Sequence, residues 1–259
     1  KEGKAVSRII VADKDTINRK AADLLQDFVQ RISGARLPIV ENAQAKKGDI
    51  VIGQGNTEGL TEDGFRLATQ EGILRISSGG DKGAIYGVVT LLDDYLGVEY
   101  YTAHTYTLEK KPTIEIPELD RAENPSFRYR QTQSYAIQED PIYKMWFRLE
   151  EPNEVFANNL WVYTFDKILP SAEFGESHPE YYSYINGERR PGAASQWCLT
   201  NPEVFEIVAH RVDSIFRANP DKKMISISQN DGNFTNCTCP ACKALDEQEG
   251  GTPSGSLIH

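Results

Sequence analysis

The stretch Thr16–Ser33 constrains this chain more than any other. Its Ala21, Leu24, Leu25, Phe28 and Ile32 recur at helical spacing, and Gly34 follows where a C′ residue belongs. Apolar runs flank it: Ser7–Ala12 (SRIIVA) before, Ile39-Val40 and Asp49–Gly53 (DIVIG) after, each reading as a strand. An amphipathic helix set among buried strands lays its apolar face on a sheet. A hairpin pattern comes next, Gly64–Gln70 and Ile73–Ser77 around Glu71-Gly72. Asp81 precedes a second helix whose apolar face is Ile85, Val88, Val89, Leu92 and Leu96, closed by Gly97. Val98–Tyr101 and Thr113–Ile116 read as further strands. The order predicts an α/β chain that opens with an α+β domain over residues 1–118, a mixed sheet with helices on one face.

Two glycine clusters in that stretch do not carry nucleotide chemistry. Gly53-Gln-Gly55 lacks a third glycine and a directly following helix, and Ser78–Gly83 lacks the Walker spacing. Both read as tight turns.

The second half, 119–259, changes pattern. Lys110-Lys-Pro112 and the prolines from Pro117 to Pro125 read as a join between about residues 115 and 127. Beyond it Phe127–Gln133, Asn159–Thr164 and the apolar Met224–Ser228 (MISIS) read as strands, with Ser195–Leu199 as an extra one. Pro141–Leu149 reads as a short amphipathic helix. Asn201-Pro-Glu203 starts a longer helix, with Val204, Val208, Val212, Ile215 and Phe216 on its buried face. Asn186-Gly187 marks a turn. Strands alternating with helices predict a parallel α/β arrangement. A (β/α)8 barrel takes about 250 residues, and this stretch supplies roughly half. Ser254–His259 reads as the start of a helix. The expectation is the first part of a TIM-type barrel, truncated, with the remainder of its own barrel as its partner.

Charge narrows the partners. The net charge is -10 over 259 residues. A general nucleic-acid binder needs a basic face, so the charge argues against nucleic acid as a partner. No apolar run approaches the ~20 residues that span a bilayer, so no transmembrane segment is expected. Neutral glycans fit the charge.

Barrel active sites lie at the C-terminal ends of the strands. Gln229, Asn230 and Asp231 follow the MISIS run directly and form the polar tip of an apolar strand. Asn-Asp-Gly is also ordinary turn chemistry. Trp161 and Tyr163 belong to Asn159–Thr164. An aromatic ring there can bury the apolar face of a pyranose, while Trp161 equally suits core packing. His178, beside Pro179, either lines the cleft or serves the structure. His210 sits within the longer helix, and His104 has no partner that the sequence names. The four cysteines group as Cys237-x-Cys239-Pro-Ala-Cys242 with Cys198 apart. The first three resemble a zinc knuckle to which Cys198 adds a fourth thiolate. Disulfides, usual in exported proteins, and free thiols remain the alternatives. No base–nucleophile arrangement for thiol catalysis is readable.

Two resemblances sharpen these expectations. Asp49–Gly53, Asp63-Gly-Phe65, Gly72–Ile76 and Gly83-Ala-Ile-Tyr-Gly87 through Tyr95-Leu-Gly-Val98 resemble the accessory domain ahead of the barrel in family 20 hexosaminidases and α-glucuronidases. That resemblance covers about residues 5–118 and implies a supporting role. In the second half, Trp161–Phe165 with Leu169-Pro170, His178–Tyr182 with Asn186–Arg189, Cys198–Glu203, and Ser226–Gly232 followed by the cysteines resemble a bacterial family long filed as an uncharacterised domain. That family is now associated with glycoside hydrolase family 163, endo-β-N-acetylglucosaminidases acting on N-glycans. Tyr163 departs from it, standing where many relatives carry His. The resemblance implies export to the periplasm or outer cell surface of a bacterium. It also implies substrate-assisted hydrolysis of N-acetylglucosamine-containing glycans. Asn230 and Asp231 would orient the reacting acetamido group; Gln229, Trp161, Tyr163 and His178 would contact the sugar. No cofactor is implied for catalysis. The general acid of such a mechanism lies at the end of strand four, outside this sequence, so the segment alone is expected to be inactive. The competing expectation is a non-catalytic glycan-binding or scaffold protein on the same fold.

Overall fold

The computed structural model describes residues 1–13 and 15–258. The chain divides into two compact units, Lys1–Leu149 and Glu150–His259.

In the first unit, strand β1 (Ile9–Val11) leads into helix α1 (Thr16–Ser33). Asp15 caps the helix start by accepting from the N–H groups of Ile17 and Asn18, and Gly34 ends it at φ 79°. Strands β2 (Ile39–Glu41), β3 (Ile50–Ile52), β4 (Phe65–Gln70) and β5 (Ile73–Ser78) follow. Helix α2 (Gly83–Thr90) continues through a π-helical turn to Tyr95. The β4–β5 hairpin is antiparallel, whereas β1 lies parallel to both β2 and β3, and β3 parallel to β5. The sheet order is β2-β1-β3-β5-β4-β8, with β8 (Asp120–Glu123) antiparallel to β4 at the edge. This is the mixed sheet that the sequence predicts. Alternation sorts its faces: Ile9, Val11, Ile50, Ile52, Leu74 and Ile76 join the main core with Leu25, Phe28, Val88 and Leu92 of the helices. Ile10, Val51 and Ile73 point the other way, against Val40, Ala43 and Ala45. Each fully buried large apolar side chain contributes roughly 1.5–3 kcal/mol. Gly53 turns at φ 87°, and a Cβ there would lie 2.3 Å from the Asn18 amide, so this glycine serves a tight turn.

The unit differs from expectation in its later strands. Thr113–Ile116 is not a strand. Pro112 and Pro117 bracket it without N–H groups to donate, and Ile114 and Ile116 dock on the core by side chain alone. The expected Val98–Tyr101 strand forms as β6 (Val98–Thr102), paired antiparallel with the unexpected β7 (Thr105–Leu108). Phe127–Gln133 is not a strand either. Arg128 reaches Asp63 and Asp81, Arg130 reaches Asp63 at 3.0 Å, and the Arg130 Nε donates to the Arg148 carbonyl at 2.6 Å. Side-chain charge, not a backbone ladder, fixes this segment. After helix α3 (Tyr135–Gln138), helix α4 (Pro141–Trp146) brings Tyr143 and Trp146 into the first unit's core, beside Leu119. The compact unit therefore runs through residue 149 rather than closing at the proline-rich join. His104 has a partner that sequence could not name: its N–H and Nδ1 meet Asp140 at 2.7 and 3.3 Å.

The second unit contains α5 (Pro152–Val155), α6 (Phe165–Ile168), α7 (Ser171–Phe174), β9 (Tyr184–Ile185), β10 (Glu188–Arg189), α8 (Pro202–Ala218), α9 (Pro240–Gln248) and α10 (Gly255–Ile258). Helix α8 begins as expected, with the Asn201 side chain accepting from the Glu203 N–H and Pro202 in the first turn. Val204 and Val208 of its apolar face are buried, while Val212 and Ile215 are only partly so. The β9–β10 hairpin turns through Asn186 (φ 51°) and Gly187 (φ 89°), both in the left-handed region. Helix α10 falls in the expected Ser254–His259 segment, whose last residue lies outside the described ones.

Two expected strands of this unit are not regular. Asn159–Thr164 bends, because Asn158, Asn159 and Tyr163 all take positive φ. Met224–Ser228 forms a single parallel bridge, Met224 to Phe156, and Ile227 is 49% exposed. The two segments still run side by side. The Ala157 N–H donates to the Met224 carbonyl, Ser226 to Leu160, and Thr164 to Ser228, at 2.9, 2.9 and 3.0 Å. The Thr164 hydroxyl donates to Ser226 O at 2.8 Å and accepts from Ser228 N–H at 2.8 Å, inserting a side chain into the pairing. A continuous ladder is broken there.

Candidate functional site

Two features of the second unit concentrate polar and reactive side chains. The first is the tip that follows Met224–Ser228. Asn230 is buried, and every polar group of it is engaged. Its Oδ1 accepts from the Asp166 N–H at 3.1 Å and its Nδ2 donates to Ser195 O at 2.6 Å. Its backbone N–H donates to the Gln196 Oε1 at 2.8 Å, and its carbonyl accepts from the Gln196 Nε2 at 2.9 Å. The Gln196 amide thus holds the tip as a neighbouring strand would. Gln229 and Asp231, on either side of Asn230, are exposed. The residues expected to act together therefore separate: Asn230 fastens the tip inward, and Asp231 and Gln229 face solvent.

The expected aromatic contacts separate too. Trp161 is partly buried, and Tyr163 is 48% exposed at φ 52°. The core stack of this unit is instead Phe165 on Trp197, 3.8 Å apart and 4° from parallel. Nothing in the sequence marks Trp197 apart from its place inside the expected Ser195–Leu199 strand. His178 stacks on Tyr181 at 4.7 Å and meets Glu180 through Nδ1 at 3.0 Å. The Tyr181 hydroxyl donates to Glu203 at 2.7 Å, which pushes its pKa up to about 12. Burial does the same for Tyr182. Beside these lies an open apolar groove of ≈ 390 Å³, lined by Phe165, Trp197, Val204, Phe205, Val208 and Ile227.

The second feature is the cysteine cluster. Cys198, Cys237, Cys239 and Cys242 are all buried, and their sulfur atoms all lie within 4.8 Å of one another. Cys198 Sγ is 3.8 Å from Cys239 Sγ and 3.9 Å from Cys242 Sγ. No disulfide joins them. Tyr184 N–H donates to Cys237 Sγ at 3.3 Å, and the Arg189 guanidinium lies 3.7 Å from the same sulfur. Hydrogen bonds from Cys237 and Cys242, with help from Arg189, hold the Cys198 thiol well below its ordinary pKa, whereas Cys237 and Cys242 are pushed up. The chain brings the four thiols together from positions up to 44 residues apart.

Residues 4–94 match the family model described as glycosyl hydrolase family 20, domain 2, a glycoside-hydrolase-associated domain. Residues 100–259 match the model described as a domain of unknown function, DUF4838, and the chain belongs to that family. No curated protein matches the chain. Among solved structures it is similar to a family GH115 4-O-methyl-alpha-glucuronidase with specificity for decorated arabinogalactans. The identity is 14%, covering 98% of this chain and 39% of that one, with a TM-score of 0.47. It is also similar to the GH20 beta-N-acetylhexosaminidase of Streptomyces coelicolor A3(2), at 21% identity over 48% of this chain and 23% of that one, TM-score 0.36. The N-acetyl-beta-hexosaminidase of Streptomyces plicatus matches at 19% identity over the same shares, TM-score 0.33. The chain spans less than half the length of each of these proteins.

Proposed function

We propose that this chain is part of a glycoside hydrolase acting on N-acetylglucosamine-containing glycans, and that its second unit is the opening portion of a (β/α)8 barrel. The observation that carries the reading is the order of matches along one chain: a family 20 accessory-type domain at 4–94, then a separate domain at 100–259. The side-by-side course of residues 156–164 and 224–228 supports the barrel portion. The apolar groove beside Ile227, with Phe205 69% exposed at its edge, supports further barrel strands as its cover. The resemblance to family 163 gives the reading its finer form, an exported bacterial enzyme of endo-β-N-acetylglucosaminidase type using the sugar's acetamido group as nucleophile.

Within that reading Asp231 is the residue to orient the acetamido nitrogen, because it is exposed at the end of the 224–228 segment, while Asn230 holds its backbone. Gln229, Tyr163 and the exposed part of Trp161 border the sugar, and His178 supports Tyr181. The test uses the whole protein to which this chain belongs. Its hydrolysis of an N-glycan and of an aryl N-acetylglucosaminide is measured for wild type and Asp231→Ala. The expected result is turnover reduced on the order of 100-fold, as for loss of a positioning group. Wild-type binding of the glycan with no turnover would favour the scaffold reading, and unchanged kinetics in Asp231→Ala would place the site elsewhere.

A further inference from the structure

Four cysteines account for every cysteine of the chain, and all four sulfurs meet in one buried cluster. A disulfide and a shared metal ion place the sulfurs at different distances. A disulfide needs its sulfurs at about 2.05 Å. Four thiolates about 2.3 Å from one Zn²⁺ sit at the corners of a tetrahedron whose edge is about 1.63 times that radius, or about 3.8 Å. The distances from Cys198 to Cys239 and Cys242 are 3.8 and 3.9 Å. The surroundings answer the two negative charges that a tetrathiolate zinc centre carries. Arg189 and the Tyr184 N–H reach Cys237. Cys239 is the N-cap of α9, and Cys242 lies in its first turn, where the helix dipole favours anions. The Thr200 hydroxyl lies 3.2 Å from Cys242 Sγ.

We propose that Cys198, Cys237, Cys239 and Cys242 bind one Zn²⁺ as a structural site. Four protein thiolates fill the coordination sphere and leave no open position for a substrate or water, so the ion holds structure and does no chemistry. Soft thiolates in a tetrahedral set select zinc over hard cations such as Mg²⁺ or Ca²⁺. The ion ties the Cys198 loop and the Cys237–Cys242 knuckle together, with the β9–β10 hairpin held by Tyr184. Between these anchors lie Gln196 and Asn230, so the metal orders the loop that presents Asp231. This inference does not depend on the glycan reading.

The test is metal analysis of the purified chain, isolated under reducing conditions and without added chelator. The expected result is one zinc per chain, released in step with modification of four thiols by a mercurial reagent. Replacement by Co²⁺ should give the intense visible absorption and thiolate-to-metal charge transfer of a tetrahedral tetrathiolate site. Cys242→Ser should lower bound zinc to well under one equivalent. Because that variant can fail to fold, the wild-type stoichiometry and the cobalt spectrum decide. A chain that takes up no zinc even when refolded in its presence overturns the proposal. So does stoichiometric iron in place of zinc, or disulfides found by mass mapping of the protein as isolated.

Discussion

Asp49 is buried, and its oxygens accept from the Arg8 side chain at 2.5 Å and from the Lys46 N–H at 3.0 Å. Burial alone would raise its pKa, but these hydrogen bonds win and hold it below the ordinary carboxylate value. A carboxyl depressed by folding stabilises the protein above the unfolded value and loses that contribution as pH falls through the folded one. Asp49→Asn should therefore lower Tm at neutral pH and flatten the acid-side decline of stability, read by thermal melts from pH 7 downward. An acid limb as steep as wild type would count against this account. Asn230 and Asp231 make a second contrast. Asn230→Ala strands the Asp166 N–H and the Ser195 carbonyl and should cost about 2–3 kcal/mol in denaturant unfolding. Asp231→Ala, at the surface, should stay within about 0.5 kcal/mol. Sequence marked both as the polar end of an apolar run, but it could not tell them apart. The partners that distinguish them, Gln196, Ser195 and Asp166, stand 34, 35 and 64 residues away.

At the scale of elements, the long helices α1 and α8 were legible, while α9 and several strands were not. Helix α1 falls on its expected residues because its periodicity, its capping Asp15 and its terminal Gly34 are all local. Helix α8 was legible for the same reason, and Asn201→Ala should cost about 1 kcal/mol through loss of the cap on the Glu203 N–H, measurable by chemical denaturation. A strand needs a neighbour elsewhere in the chain, and strand propensity records little more than fit to a pleated surface. Phe127–Gln133 alternates like a strand, yet Arg128 and Arg130 are drawn to Asp63 and Asp81, acids contributed by far earlier residues. Met224–Ser228 has the composition of a central strand, but Thr164 inserts its hydroxyl into the pairing.

At the scale of the whole chain, the proline-rich stretch between about residues 115 and 127 reads as a join, whereas the compact units divide between Leu149 and Glu150. Ile114 and Ile116, expected in a strand, and Leu119, in the expected join, all pack on the first core, and Tyr143 and Trp146 join them there. The convergence of four cysteines was legible from spacing alone, since an otherwise cysteine-free chain leaves few ways to pair them. It gives a prediction that separates the units. Stripping metal with a strong chelator should speed amide exchange in residues 181–199 and 229–242, while the β1–β3–β5 strands of the first unit keep their protection. Uniform loosening throughout the chain would contradict a metal that acts locally.

The four hydrogen bonds around Asn230 bear on the entropy of recognition. Ordering one backbone residue costs about 1–2 kcal/mol, and a flexible loop makes its ligand bear that cost at the moment of contact. Here folding has already met it, because Gln196, Ser195 and Asp166 immobilise the residue next to Asp231. On the function proposed above, contact with a ligand would cost Asp231 only its side-chain freedom, so a small ligand with few contacts would bind there at a lower entropic cost than on a flexible loop.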